Sequence, residues 1–226
     1  MKITRLFGVV LVAVLAISAM AASTASAIPK YRLPIALRGF AGLSGLTLWR
    51  NPANGDIIDC THDHLVGFII NDDEVDLKEH FLNCSVIVNG QGPCTVKSVG
   101  SEGGLIISSL IRGLLGLLHQ PAGAAGILLV PSTGHVFWTL AATEAPCNTT
   151  ETAFEGSVAG LYSPTGKLQS TALITTAPVS ATGKQEITLI LTLFGVIKPK
   201  WTSFGATEAT DESVEALTYE ESVEVD

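Results

Sequence analysis

Two imidazoles one residue apart carry the most concentrated chemistry in this chain. His62 and His64 flank Asp63 in the run Cys60-Thr61-His62-Asp63-His64. On an extended strand residues i and i+2 share a face, so the pair would offer two nitrogen ligands together, a set suited to zinc or copper. A complete site needs a third donor, which His80, His119 or His135 would have to bring from elsewhere. The plainer reading is two polar residues on the wet side of a strand. Asn71-Asp72-Asp73-Glu74-Val75-Asp76 is rich in oxygen donors but lacks the glycine and terminal glutamate spacing of a calcium loop, so it reads as a solvated turn.

Catalytic motifs are missing from the sequence. Neither G-x-S-x-G nor S-x-x-K occurs. Ser132 and His135 are close in sequence, but triads are assembled by fold geometry and proximity says little. Gly166-Lys167 and Gly183-Lys184 lack the first glycine of a phosphate-binding loop, and no dinucleotide fingerprint appears, so no cofactor is expected. Trp49, Trp138 and Trp201 would make a sugar-stacking face if exposed; in a β domain such rings belong more often to the core. No catalytic residue is assigned. The expectation is a non-enzymatic binding or structural module, with a secreted hydrolase assembled only in three dimensions, or a metal-binding protein using His62 and His64, as the competing readings.

The compartment is read from the first residues. Lys2 and Arg5 precede an apolar run from Leu6 to Ile17, too short for a stable membrane anchor, and Ala25-Ser26-Ala27 suits cleavage. Residues 1–27 therefore read as an export signal peptide, and the protein as secreted or associated with the cell envelope. No later segment is a convincing membrane span. With Lys+Arg 13 against Asp+Glu 21 the chain carries a net charge of −8, and two of its basic residues lie in the leader. Such an acidic chain is poorly suited to nucleic acid and is not drawn to anionic lipid. Its partner, if any, is expected outside the cell or in the envelope.

Cys60, Cys84, Cys94 and Cys147 form an even set after an export signal, which favours two disulfides over a metal site, since no C-x-x-C occurs. The turn-forming run Asn89-Gly90-Gln91-Gly92-Pro93 favours Cys84–Cys94, leaving Cys60–Cys147 as the long staple.

The elements that must position these residues read as strands. Short runs with period-two alternation recur between turn signals: Leu46–Trp49, Ile57–Thr61, Leu65–Ile70, His80–Val88, Ile127–Val130, His135–Leu140, Phe154–Leu161 and Leu168–Thr175. Asn54-Gly55 suits a hairpin tip. Residues 105–118 fit a helix by spacing, but Gly113 and Gly116 argue for strands. Ile187–Phe194 reads as a central strand, and Ala216–Val225 as a charged edge strand. Residues 28–50, basic and without acid, read as an N-terminal arm or first strand whose charges pack on the protein's own acidic surface; 51–226 reads as a single β-rich domain. The fold expected is all-β, an antiparallel β-sandwich or partly open β-barrel.

The order of these features resembles a group of exported actinobacterial proteins without assigned function. The likeness rests on Cys60-Thr61 before Gly67, Cys84 followed by Gly92-Pro93-Cys94, and the runs at 102–106, 114–116 and 126–131. Further along it rests on Glu155-Gly156-Ser157-Val158 after Cys147, and on Lys184-Gln185 before a Thr-rich strand. It covers about residues 57–225 and contains no catalytic motif. The resemblance implies strands through 104–118 and the same two cysteine pairings; it implies no functional residue.

Overall fold

Alternation of inward apolar and outward polar side chains builds a closed wall. The computed structural model describes residues 27–32, 38–53, 55–119, 121–142, 144–147, 149–176, 187, 189–203, 207–208 and 210–226. Among these, eight antiparallel strands form a barrel. They are β1 (Arg38–Ser44), β2 (Ile57–Ile69), β3 (Glu74–Val88), β4 (Ile111–Leu118), β5 (Ala125–Pro131), β6 (Val158–Ser163), β7 (Gln169–Thr176) and β8 (Val214–Val225). Each pairs with the next in the chain, and β8 pairs back onto β1. This is an up-and-down barrel, the arrangement that abolishes sheet edges. The all-β antiparallel expectation holds, and of its two architectures the barrel is the one formed. The core includes Phe40, Leu65, Ile69, Leu77, Ile127 and Leu217.

Four strand readings change. Ile57–Thr61 and Leu65–Ile70 belong to one strand, β2. The inward phase shifts within it, from Ile58 and Cys60 to Asp63 and Leu65, and β3 shifts together with it, from Phe81 to Cys84. Asn83, with φ 52, marks the bend, and the register is the same on both sides of it, from Ile57↔Ile87 to Ile69↔Val75. A phase break was therefore a bend, not an end. The run Phe154–Leu161 divides the other way: the strand Thr149–Gly156 lies in a separate sheet, and the chain enters β6 only after Ser157. The expected central strand is confined, among described residues, to Ile190–Thr192, which folds back on Gly195–Ile197. Thr192 Oγ1 accepts the Phe194 N–H at 3.2 Å in that turn. With Ile187, this segment covers Leu114, Leu118 and Leu128 in a second, smaller apolar cluster. Finally, Val214–Val225 is no edge strand: it lies between β7 and β1. Residues 105–118 do form strands, Ile106–Ile107 and β4.

A five-stranded sheet of Lys97–Ser98, Val136–Ala142, Thr149–Gly156, Trp201–Ser203 and Thr207–Glu208 accompanies the barrel. Its Phe137, Trp138, Leu140 and Phe154 join the main core. Trp138 and Phe154 stack at 5.6 Å, and Trp49, from the strand Thr47–Arg50, lies 4.8 Å from both Trp138 and Phe81.

The disulfides are Cys60–Cys84 and Cys94–Cys147, not the expected Cys84–Cys94 and Cys60–Cys147. Register explains the correction. The β2–β3 hairpin places Cys60 directly opposite Cys84. The turn at Asn89-Gly90 does form, but it sets Cys94 opposite Val86 rather than Cys84. Cys94 is then free to reach Cys147. Gly92 makes room: a Cβ there would sit 2.6 Å from the Val86 carbonyl oxygen and 3.3 Å from Cys147 Sγ.

Residues 28–50 do not stand apart as an arm. Tyr31–Arg32 pairs with the end of β8, and Arg38–Ser44 is a wall strand. Their cations meet acids: Lys30 with Asp72 at 2.6 Å, Arg32 with Asp226, and Arg38 with Glu221. Lys30 and Arg32 sit in solvent, so their pairs add little to stability. The expected signal peptide up to residue 26, Asn54 and the expected turn Ser180–Lys184 lie outside the described residues. Among described residues no helix is long and apolar enough to cross a membrane.

Candidate binding site inside the barrel

The inward faces of the wall are not wholly apolar. In β3 the inward series Val75, Leu77, Glu79, Phe81 contains a glutamate; β8 and the strand before it turn Asp211, Ser213, Glu215, Leu217 and Tyr219 inward; β2 turns Asp63 inward beside Leu65. These four carboxyl groups are 0% (Asp63), 5% (Glu79), 6% (Asp211) and 6% (Glu215) exposed. Unpaired charge is costly at such depth.

Their bonding differs. Asp63 accepts hydrogen bonds from the Ser44 N–H at 3.0 Å, the Ser44 hydroxyl, and the Thr47 hydroxyl at 3.2 Å. Asp211 accepts the Trp49 indole N–H at 3.0 Å. The backbone N–H of Glu79 donates to Ser108 Oγ at 2.8 Å. Oε2 of Glu215 is buried and has no hydrogen-bond partner among the described residues. No ion pair joins Asp63, Glu79 or Glu215 to a cation among those residues.

Burial therefore favours the neutral acids. It lifts Asp211 to about 7, with the Trp49 bond opposing and the Asp63 charge adding. Glu79 is pushed well above the usual carboxylate range by burial and then by Asp63 and Asp211; Glu215 likewise, by burial and then by Glu79, Asp63 and Asp211. Asp63 is raised by burial, against the hydrogen bonds from Ser44 and Thr47.

Glu79, Asp211 and Glu215 line one interior cavity of about 10 Å³ with Trp49, Thr176 and Ser213. That is room for one water-sized group. Trp138 and Phe81 complete part of the wall, so the cavity lies where the second sheet meets the barrel. Thr176 and Ser213 also line an outer groove of about 490 Å³, with Leu46, Glu212 and Val214. Their hydroxyls meet at 3.0 Å, and the Ser213 N–H donates to Thr176 Oγ1 at 2.8 Å. The arrangement can hold protons or a hydrogen-bonding cation. Carboxyl pairs also serve glycoside cleavage, but that needs space for a sugar between them.

The sites anticipated from sequence fall elsewhere. His62 and His64 are exposed together on the outer face of β2, and His80 stands opposite His64 on β3. The Thr61 hydroxyl meets His62 Nδ1 at 2.8 Å. His119 and His135 are exposed elsewhere, at the end of β4 and before the strand Val136–Ala142. Among described residues no three His, Cys, Asp or Glu side chains are grouped to hold a metal ion. In the oxygen-rich turn, Asp72 pairs with Lys30, Asp76 with Arg112 at 3.3 Å, and Asn71 Oδ1 accepts the Asp73 N–H at 2.9 Å. Trp49 and Trp138 are core residues, 1% and 4% exposed, and give no sugar-binding face, while the Trp201 side chain lies outside what is described. All four cysteines are oxidised.

The interior acids were missed in the sequence, although a signal existed: Glu79 and Glu215 occupy the same parity as the apolar residues around them. Comparison with protein-family models, curated proteins and solved structures finds no match.

Proposed function

We propose that this protein is an exported, non-enzymatic binding module that receives a small ligand at the acid-lined end of its barrel. The single observation that carries the reading is Oε2 of Glu215, a buried carboxyl oxygen without a hydrogen-bond partner among the described residues, on a side chain that lines a cavity with Glu79 and Asp211. Buried acceptors are normally satisfied, and one left over points to a missing donor. The outer groove beyond Thr176 and Ser213 supplies the approach. Two disulfides suit an oxidising compartment, and the leader read at 1–27 would direct the chain to one; both support secretion or retention in the envelope. A cavity of about 10 Å³ favours binding a small group over turning over a polymer.

Amide chemical-shift mapping tests this. Four-carbon probes (1-butanol, butyrate and butylamine) are added at millimolar concentration to the oxidised, leader-free protein. At least one should shift the amides of Leu46, Thr176 and Ser213 together. No movement at those amides with any probe would overturn the reading. So would hydrolysis of a glycoside or ester substrate that Glu79→Gln abolishes.

A further inference from the structure

We infer that the group anchored in the barrel is a primary ammonium, carried by a ligand whose alkyl body lies in the groove outside Thr176 and Ser213. This rests on the binding-module reading and names its ligand class.

Three properties of the cavity select that group. The first is sign. Glu79, Asp211 and Glu215 face one small space, Asp63 adds a fourth buried acid nearby, and no lysine or arginine forms an ion pair with Asp63, Glu79 or Glu215 among the described residues. The second is polarity. Once ionised, Glu215 Oε2 can only accept; an ammonium head brings three N–H donors, nothing that accepts, and a positive charge that favours the ionised form of the buried acid. The third is size. A space of about 10 Å³ takes a head the size of water. A planar guanidinium, a tetramethylammonium or a sugar is several times larger. A divalent metal fits less well, because no three His, Cys, Asp or Glu side chains among the described residues are grouped to hold one.

The walls agree. The rings of Trp49 and Trp138 border the cavity, and aromatic faces attract cations. Outside, Leu46 and Val214 are 56% and 51% exposed along the groove, an apolar surface suited to methylenes. An amine entering from this side replaces the 3.0 Å contact between the Thr176 and Ser213 hydroxyls with hydrogen bonds of its own.

The test is calorimetric titration of the oxidised, leader-free protein at pH 8 with butylamine, 1-butanol, tetramethylammonium and potassium. Butylamine should bind about ten-fold or more tighter than each of the others, the ratio expected of one charge-assisted hydrogen bond. Glu215→Gln should lose that ratio. Leu46→Trp, at an exposed position, should weaken butylamine while leaving the circular dichroism unchanged; it keeps the inference testable should Glu215→Gln fail to fold. Potassium or butanol matching butylamine, or full affinity in folded Glu215→Gln, would overturn the ammonium assignment. Equal binding of butanol and butylamine, both weakened by Leu46→Trp, would overturn it while leaving the module reading intact. No binding by any probe would overturn both.

Discussion

Replacing Asp211 by asparagine should make the protein more stable at neutral and alkaline pH, and hardly change it in acid. Asp211 is 6% exposed, and its carboxyl is lifted from 3.8 to about 7, chiefly by burial. Between those two values the folded protein holds a proton that the unfolded chain has released. Stability therefore falls as pH rises across that interval, and the loss is complete above about 7. Roughly three pH units at about 1.4 kcal/mol each amount to roughly 4 kcal/mol. Glu79, Glu215 and Asp63 are raised too and act in the same direction. His80, lowered from 6.5, opposes them only in the interval just below 6.5. Asp72 and Asp226, held low by Lys30 and Arg32, matter only in more acidic solution.

Asparagine keeps the carbonyl oxygen that accepts the Trp49 N–H at 3.0 Å, and it cannot ionise. The gain at pH 8 approaches the full roughly 4 kcal/mol, because removing one charge also relieves Glu79 and Glu215, which both feel Asp211. The assay is urea unfolding with the disulfides intact, followed by tryptophan fluorescence from pH 4 to pH 8. Wild type should lose stability toward pH 8, and the variant's curve should be flatter. A wild-type stability that rises over this range, or an unchanged slope in Asp211→Asn, would refute the reasoning.

Further outcomes can be checked directly. Non-reducing peptide mapping should recover Cys60 linked to Cys84 and Cys94 linked to Cys147; a Cys84–Cys94 peptide would contradict the register argument. With sequence separations of 24 and 53, removing the first pair should cost about 3 kcal/mol and the second about 4 in the loop-entropy model. Gly92→Ala should leave Cys94 and Cys147 partly as free thiols by mass spectrometry, because φ is 130 there and a Cβ meets the Val86 carbonyl oxygen at 2.6 Å. Normal oxidation with unchanged stability would count against that packing. His80 should titrate below 6.5 by NMR, held down by burial and then by Lys78 and His64, and a midpoint above 6.5 would contradict its placement beside them.

Most wall strands were legible because their alternation meets a single buried face. Val86 and Val88, or Leu217 and Tyr219, announce extended backbone with little else to confuse them. The failures share a cause: local pattern reports phase, not partner. At Thr61–His62 a phase change looked like a strand end, because only the matching change at Leu82–Asn83 on the partner shows it to be a bend. At Cys84 and Cys94 the intervening turn was recognised, but its tip at Asn89-Gly90 dictates Val86↔Cys94, and two residues of register separate the right pairing from the wrong one. Ala216–Val225 looked like an edge since its outer face is charged; closure onto β1 gives it two neighbours without altering that face.

The acids were illegible for a different reason. A glutamate among Leu77 and Phe81 is normally discounted as noise in an apolar series, since burial without a counter-ion costs more than a strand can return. Two stretches distant in sequence, around Glu79 and around Asp211–Glu215, nevertheless bring such groups to one cavity. Were they serving the fold alone, amide replacements would improve it at every pH where the acids ionise, and nothing would be lost. If the cavity takes a cation, the two properties must separate. Asp211→Asn and Glu215→Gln should then gain stability at pH 8 while losing affinity for butylamine, and bound amine should recover in wild type part of the stability that ionisation removes, since a ligand held only by the folded state stabilises it. A variant that gains stability without losing affinity would place the acids outside the binding chemistry.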